Sequence, residues 1–253
     1  MPSRSPQGLV YMSDNTKTFL IFGASSAIAK AVVEQLSVNP NHQVITFSRT
    51  QLDWNKPNIT HNSVSNYEQA TLDSVIQSLD INQINLTGLY IFNGILHSQQ
   101  FRPEKALSQL DPLIFEKVIK ANTTTPILII QSILKAITKD QSFKVAALSA
   151  RIGSLTDNGL GGWHSYRASK AALNMLLKNI TIECARSYKG LKFISYHPGT
   201  TDSPLSKPFQ ANVPSEQLFS SEQSAKYFLT VVENQRFDQE LSYVDWQGKT
   251  ISW

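Results

Sequence analysis

Short apolar runs, each the length of one buried strand, alternate along this chain with longer stretches in which apolar residues recur at helical spacing. The runs fall at Thr18 to Phe22, Val44 to Phe47, Asn58 to His61, Leu86 to Phe92, Lys144 to Leu148, Lys192 to Tyr196 and Leu241 to Val244. Helical periodicity covers Ala27 to Leu36, Tyr67 to Leu79, Asp111 to Ala121, Thr125 to Lys139, Tyr166 to Ser187 and Ser221 to Glu233. Such alternation predicts an α/β fold, a doubly wound and mostly parallel sheet in one domain with helices on both faces. The stretch Thr200 to Pro214 carries Pro204, Pro208 and Pro214 and predicts no regular element. Its place after a strand predicts a substrate lid over residues 200–214. Residues 1–16, polar and without periodicity, read as a flexible tail ahead of the domain at 17–253.

Composition narrows the classes of function. The 253 residues are 41% hydrophobic and 17% charged, which is ordinary for a soluble domain with a sizeable core. No apolar run approaches the roughly 20 residues of a membrane span. The formal charge of +4 has no Lys/Arg cluster behind it, so a nucleic-acid surface is not expected. The single cysteine, Cys184, cannot form an internal disulfide and sits in a helical pattern as a buried thiol. The tail has no apolar stretch of the signal-peptide kind, and the cytoplasm is the expected compartment.

Candidate chemistry gathers at the predicted strand ends, where open α/β sheets bind their ligands. After the first strand, Gly23-Ala24-Ser25-Ser26-Ala27-Ile28-Ala29 is a small-residue turn leading into a helix. A pyrophosphate can approach the backbone there and meet the positive helix end. Further on, Tyr166 and Lys170 lie one helical turn apart in Ser165-Tyr166-Arg167-Ala168-Ser169-Lys170. A nearby cation lowers a phenol from its usual pKa of about 10, which equips Tyr166 as a general acid or base. His42, His61 and His197 have no metal-ligand spacing, and no catalytic metal is expected.

In their order and spacing these segments resemble the short-chain dehydrogenase/reductase family. Its pattern is TGxxxGxG, NNAG, an Asn, a Ser, YxxxK and a PG turn. The counterparts here are Phe22 to Ala29, Phe92-Asn93-Gly94-Ile95, Asn122, the Ser149 to Ser154 segment, Tyr166 with Lys170, and Pro198-Gly199. The runs Gly161 to Asn174, His197-Pro198-Gly199 and Asp245 to Lys249 look like the C-factor-like (cell-cell signalling) branch. The resemblance implies a Rossmann-type domain in which a hydride passes between NADP(H) and a carbonyl or alcohol of a small-molecule substrate. It implies Tyr166 as proton donor or acceptor, Lys170 as its partner and a ligand of the nicotinamide ribose, and Asn122 as support for a proton relay. Gly23, Ser25, Ser26, Ala27, Ile28, Asn93, Gly94, Tyr166, Lys170, Pro198, Gly199 and Thr201 would contact the dinucleotide. A homodimer or homotetramer through the long helices would follow as well.

Four positions refine the expectation. Arg49, in Phe47-Ser48-Arg49, stands where an NAD-preferring site usually carries an acid, and a guanidinium suits a 2'-phosphate; NADP(H) is expected over NAD(H). Ala27 and Ala29 replace two glycines of the pattern, narrowing the approach to the phosphates. Ala150 occupies the place of the substrate-orienting serine, and Ser154 or Ser149 is expected as the substitute donor; continued strand alternation would turn Ser149 to the other side. Trp163 and Phe209 are candidates for the substrate mouth or for an interface. These departures motivate a second expectation, a dinucleotide-binding signalling or interaction protein with vestigial chemistry.

Overall fold

The computed structural model describes residues 16–253; of the expected tail, residues 1–15 lie outside the described residues. Seven strands form one parallel sheet in the order β3-β2-β1-β4-β5-β6-β9. They are β1 (Lys17–Phe22), β2 (His42–Ser48), β3 (Ile59–Ser63), β4 (Leu86–Ile91), β5 (Phe143–Leu148), β6 (Leu191–His197) and β9 (Ser242–Asp245). Central strands such as Phe19 to Phe22 are buried without a break, as a sheet covered on both faces requires. Helices α1 (Ala27–Leu36) and α6 (Ser221–Asn234) cover one face, where Val32, Tyr90, Tyr196 and Phe228 share a cluster. The other face packs under α2 (Gln69–Gln77), α4 (Thr125–Ala136) and α5 (His164–Ser187) around Leu72, Ile130, Leu173 and Phe193. Cys184 is buried in this second cluster.

The helix starts follow from side chains that satisfy free amide groups. Ser26 accepts from Ala29 N at 3.2 Å, which fixes the first turn of α1. Asp111 accepts from Leu113 N and Ile114 N at the start of α3 (Pro112–Ile119). Ser220 and Gln223 close a reciprocal capping box on α6. Between α3 and α4 the chain runs through a π turn, Lys120–Thr124. Pro126 gives the cause: it has no N–H for the carbonyl of Asn122, four residues back, and its ring would clash there, so the coil widens.

The segment expected to be irregular is partly ordered. Thr200–Thr201 (β7) pairs in parallel with Leu218–Phe219 (β8), and a short 3-10 turn spans Lys207–Phe209. Because β6 ends at His197, this segment begins at the same sheet edge that carries the turn after β1.

Candidate active site

One cavity of about 660 Å³ runs along the carboxyl ends of the strands. At its β1 end lie Gly23, Ser25, Ser26, Ala27 and Ile28, followed by Arg49, Asn93 and Gly94. Gly23 has φ +73°, and a Cβ there would come within 2.8 Å of Asn93 N and Phe92 C. Only glycine lets β1 and β4 end so close together. The methyl of Ala29 does not intrude: Ala29 is fully buried in the core beneath α1. Ala27 does line the cavity, within ordinary helical backbone. Arg49 is exposed at the end of β2 and makes no ion pair among the described residues. A compact turn, the N-terminus of α1 and an unpaired guanidinium fit the phosphates of a dinucleotide.

Tyr166, Lys170, Pro198, Gly199 and Thr201 line the same cavity further along. The Lys170 Nζ lies 5.8 Å from the Tyr166 ring centre and donates to the Leu148 carbonyl at 2.7 Å. Burial pushes the Tyr166 phenol up to about 12 and the Lys170 ammonium down to about 7. The expected lowering of Tyr166 by its neighbour is therefore corrected. A phenolate and an ammonium both lose hydration here, and a lysine close to neutral exerts little pull. Near neutral pH the phenol holds its proton, which is the form an acid must start from.

Asn122, Ser149 and Ser154 stand differently. Asn122 is fully buried, accepts from Ile95 N at 2.6 Å, and donates to Ile95 O and to Ser169 Oγ, both at 2.9 Å. It joins the end of β4 to α5, and its side chain does not reach the cavity surface. Ser149 donates to Asn174 Oδ1 at 2.7 Å, beneath the sheet, as strand alternation required. Ser154 lies off the cavity wall, its hydroxyl accepting from Asp157 N at 3.0 Å. Ser149 lines the cavity but its hydroxyl is engaged by Asn174, and the wall at position 150 is a methyl. Each of the two hydroxyls has a local partner in this arrangement.

Sequence reasoning left several lining residues unassigned, among them Tyr67, Leu96, Ile152 and His197. Tyr67, whose phenol burial pushes up, turns its hydroxyl toward Asn93 and the Gly23 backbone. Burial, with repulsion from Arg151, lowers His197 to about 4 and keeps it neutral. Trp163 and Phe209 both reach the cavity, whereas His97 and His164 do not line it. His97 instead holds the Pro204 and Leu205 carbonyls with Nε2, at 3.2 and 3.1 Å. Among the described residues no group of His, Cys, Asp or Glu is arranged to hold a metal, and no helix is long and apolar enough to cross a membrane.

A small-residue turn at a helix start and, in the same cleft, a half-buried, protonated phenol are the working parts of an NAD(P)-dependent oxidoreductase. The chain belongs to the short chain dehydrogenase family, whose pattern matches residues 17–214. A 1-hydroxy-2-glutathionyl-2-methyl-3-butene dehydrogenase of Rhodococcus sp. (strain AD45) is 24% identical over 238 residues, 93% of this chain and 99% of its own. C-signal of Myxococcus xanthus is 26% identical over 148 residues, 58% of this chain and 84% of its own. Among solved structures, an NADPH-bound carbonyl reductase from chicken fatty liver superimposes with a TM-score of 0.78 at 21% identity, covering 94% of this chain and all of the other.

Proposed function

We propose that this protein is an NADP(H)-dependent carbonyl reductase in which Tyr166 is the proton donor. The observation that carries this reading is the cavity itself, shared by the Gly23 to Ile28 turn, Arg49, Tyr166 and Lys170. When bound, a reduced nicotinamide supplies the hydride, so the carbonyl carbon gains hydrogen with its electron pair and the oxygen gains the Tyr166 proton. Lys170, held on the Leu148 carbonyl, is placed to exchange a proton with the phenol or to hold a ribose hydroxyl. Arg49 supports the choice of NADP(H), since a free guanidinium binds a 2'-phosphate through paired hydrogen bonds. Gly94, Asn93, Pro198, Gly199 and Thr201 complete the dinucleotide wall. Asn122 acts by bracing this wall against α5, and the segment 200–214 acts as the substrate lid.

Kinship with C-signal supports placing the chain in the C-factor-like branch. The methyl at Ala150 favours a second reading, dinucleotide binding for signalling with vestigial turnover. A second copy is proposed to dock on the outer face of α5, where Met175 and Ile182 stand exposed seven residues apart, with the cytoplasm as the place of action. Light scattering that gives a monomer would end the assembly proposal.

Steady-state assays of Tyr166→Phe test the catalytic reading, with dinucleotide binding followed by fluorescence. We expect at least a hundredfold loss of NADPH oxidation with binding retained, since general acid catalysis contributes roughly 100- to 10,000-fold. Undiminished turnover would remove Tyr166 from the role. NADPH binding with no turnover across a carbonyl and alcohol panel would favour the second reading. Arg49→Glu should reverse the preference toward NADH, and an unchanged ratio would refute the role of Arg49.

A further inference from the structure

We infer that the substrate carries a flat, uncharged aromatic group beside its carbonyl, received by a wall made of Trp163 and Phe209; this rests on the reductase reading for its chemistry but not for its binding. The two rings meet edge to face, with centres 4.9 Å apart at 60°, and both line the cavity that holds Tyr166. Trp163 also lies edge to face with Tyr166 itself, at 6.3 Å and 72°. A ring placed against this wall therefore has its attached carbonyl beside the phenol. Leu96, Ala150, Ile152 and Val213, all uncharged, line the same cavity. Of the cavity's two basic side chains, Arg49 stands at the end of β2, and Lys170, 5.8 Å from the Tyr166 ring centre, is buried and held on the Leu148 carbonyl.

The position of Trp163 is imposed by its surroundings. It has φ +49° and ψ +43°, a left-handed conformation that bulky residues rarely adopt. Gly161 and Gly162 before it are also left-handed, at φ +64° and +65°. The turn is fastened by Glu104, whose carbonyl accepts from Trp163 N at 2.5 Å. The Glu104 carboxylate, buried, accepts from Ser165 N at 3.2 Å and from the Ser165 hydroxyl. From the lid side, Phe209 is backed by the His97 ring at 5.6 Å. Two elements distant in sequence thus converge to present one aromatic surface.

A matched pair of ketones tests this: 2-acetylnaphthalene and its fully saturated counterpart, 2-acetyldecahydronaphthalene. Aromatic pairing adds about 0.5–1.5 kcal/mol beyond area burial, and two wall rings take part. We expect calorimetry, with and without oxidised dinucleotide, to show at least fivefold tighter binding of the aromatic ketone. Phe209→Leu and Trp163→Leu should each reduce that preference to below twofold while leaving dinucleotide affinity unchanged. Equal binding of the two ketones, or a preference that survives in Phe209→Leu, would overturn the inference; Phe209 sits in a surface turn, so this variant decides the matter even if Trp163→Leu does not fold. NADPH oxidation with the same ketones reports separately on the reductase reading. Aromatic-selective binding without oxidation of any carbonyl would defeat that reading and leave the wall standing.

Discussion

Replacing Glu104 with alanine is the sharpest test of how the catalytic helix is held. The variant removes a buried carboxylate from the first turn of α5, where it accepts from the amide and hydroxyl of Ser165. Hydrogen bonds to a charged group contribute roughly 1.5–3 kcal/mol each. A negative charge at a partly buried helix N-terminus adds about 1 kcal/mol more. Against this stands the cost of keeping a carboxylate out of water, several kcal/mol in a buried site. Together these leave a net loss of about 3 kcal/mol, because the Ser165 amide and hydroxyl are stranded when the carboxylate goes. For a domain of this size each kcal/mol lowers the melting temperature by about 2–4 °C, so a fall of roughly 6–12 °C is expected. Glu104→Gln keeps the shape and should lose about half as much. Thermal unfolding followed by circular dichroism at fixed protein concentration measures both. A Glu104→Ala melting temperature within about 1 °C of the parent would refute the clamp.

Two further outcomes follow from the site. Lys170 falls from 10.5 to about 7 on burial, so between those values the unfolded chain holds a proton that the native chain lacks. Stability should therefore rise with pH across that window, by up to about 1.4 kcal/mol per unit, with the penalty present in full below pH 7. Urea denaturation at pH 7, 8 and 9 should show this rise flattened in Lys170→Met, and identical slopes would disprove it; readings stay below pH 10, where Tyr166 acts in the opposite sense. Ala150→Ser should restore a donor beside Tyr166 and raise kcat by roughly 10- to 100-fold, given that one such donor contributes about 100- to 1,000-fold elsewhere. Unchanged kcat with NADPH affinity intact would mean that position 150 does not meet the reacting oxygen.

Much of this architecture was legible in the residues. Alternating runs placed all seven strands of the main sheet, and α1 begins and ends where its apolar periodicity does, at Ala27 and Leu36. The cavity gathers every residue expected at the dinucleotide, from Gly23 to Thr201, because order along the chain fixes order along the sheet edge. What escaped depends on distance in sequence or on solvent. Glu104 meets Ser165 across 61 residues, and no local pattern announces that pairing. The phenol of Tyr166 rises because water is withdrawn from it, whereas sequence displays only the lysine nearby. Ser154 looked available until its turn with Asp157 was formed. The π turn had one visible signal, Pro126, whose effect falls four residues upstream.

Asn122 gives the molecule a division of labour. With three hydrogen bonds it ties the loop after β4, which belongs to the first half of the chain, to Ser169 in the second. Thr123 adds a fourth tie, donating to the Ser169 carbonyl at 2.7 Å. The loop after β4 and the helix that carries Tyr166 are thus tied in one frame. The segment from Asp202 to Val213 stands outside that frame. Substitutions there can reshape what enters the cavity at little risk to the spacing between Tyr166 and the turn after β1.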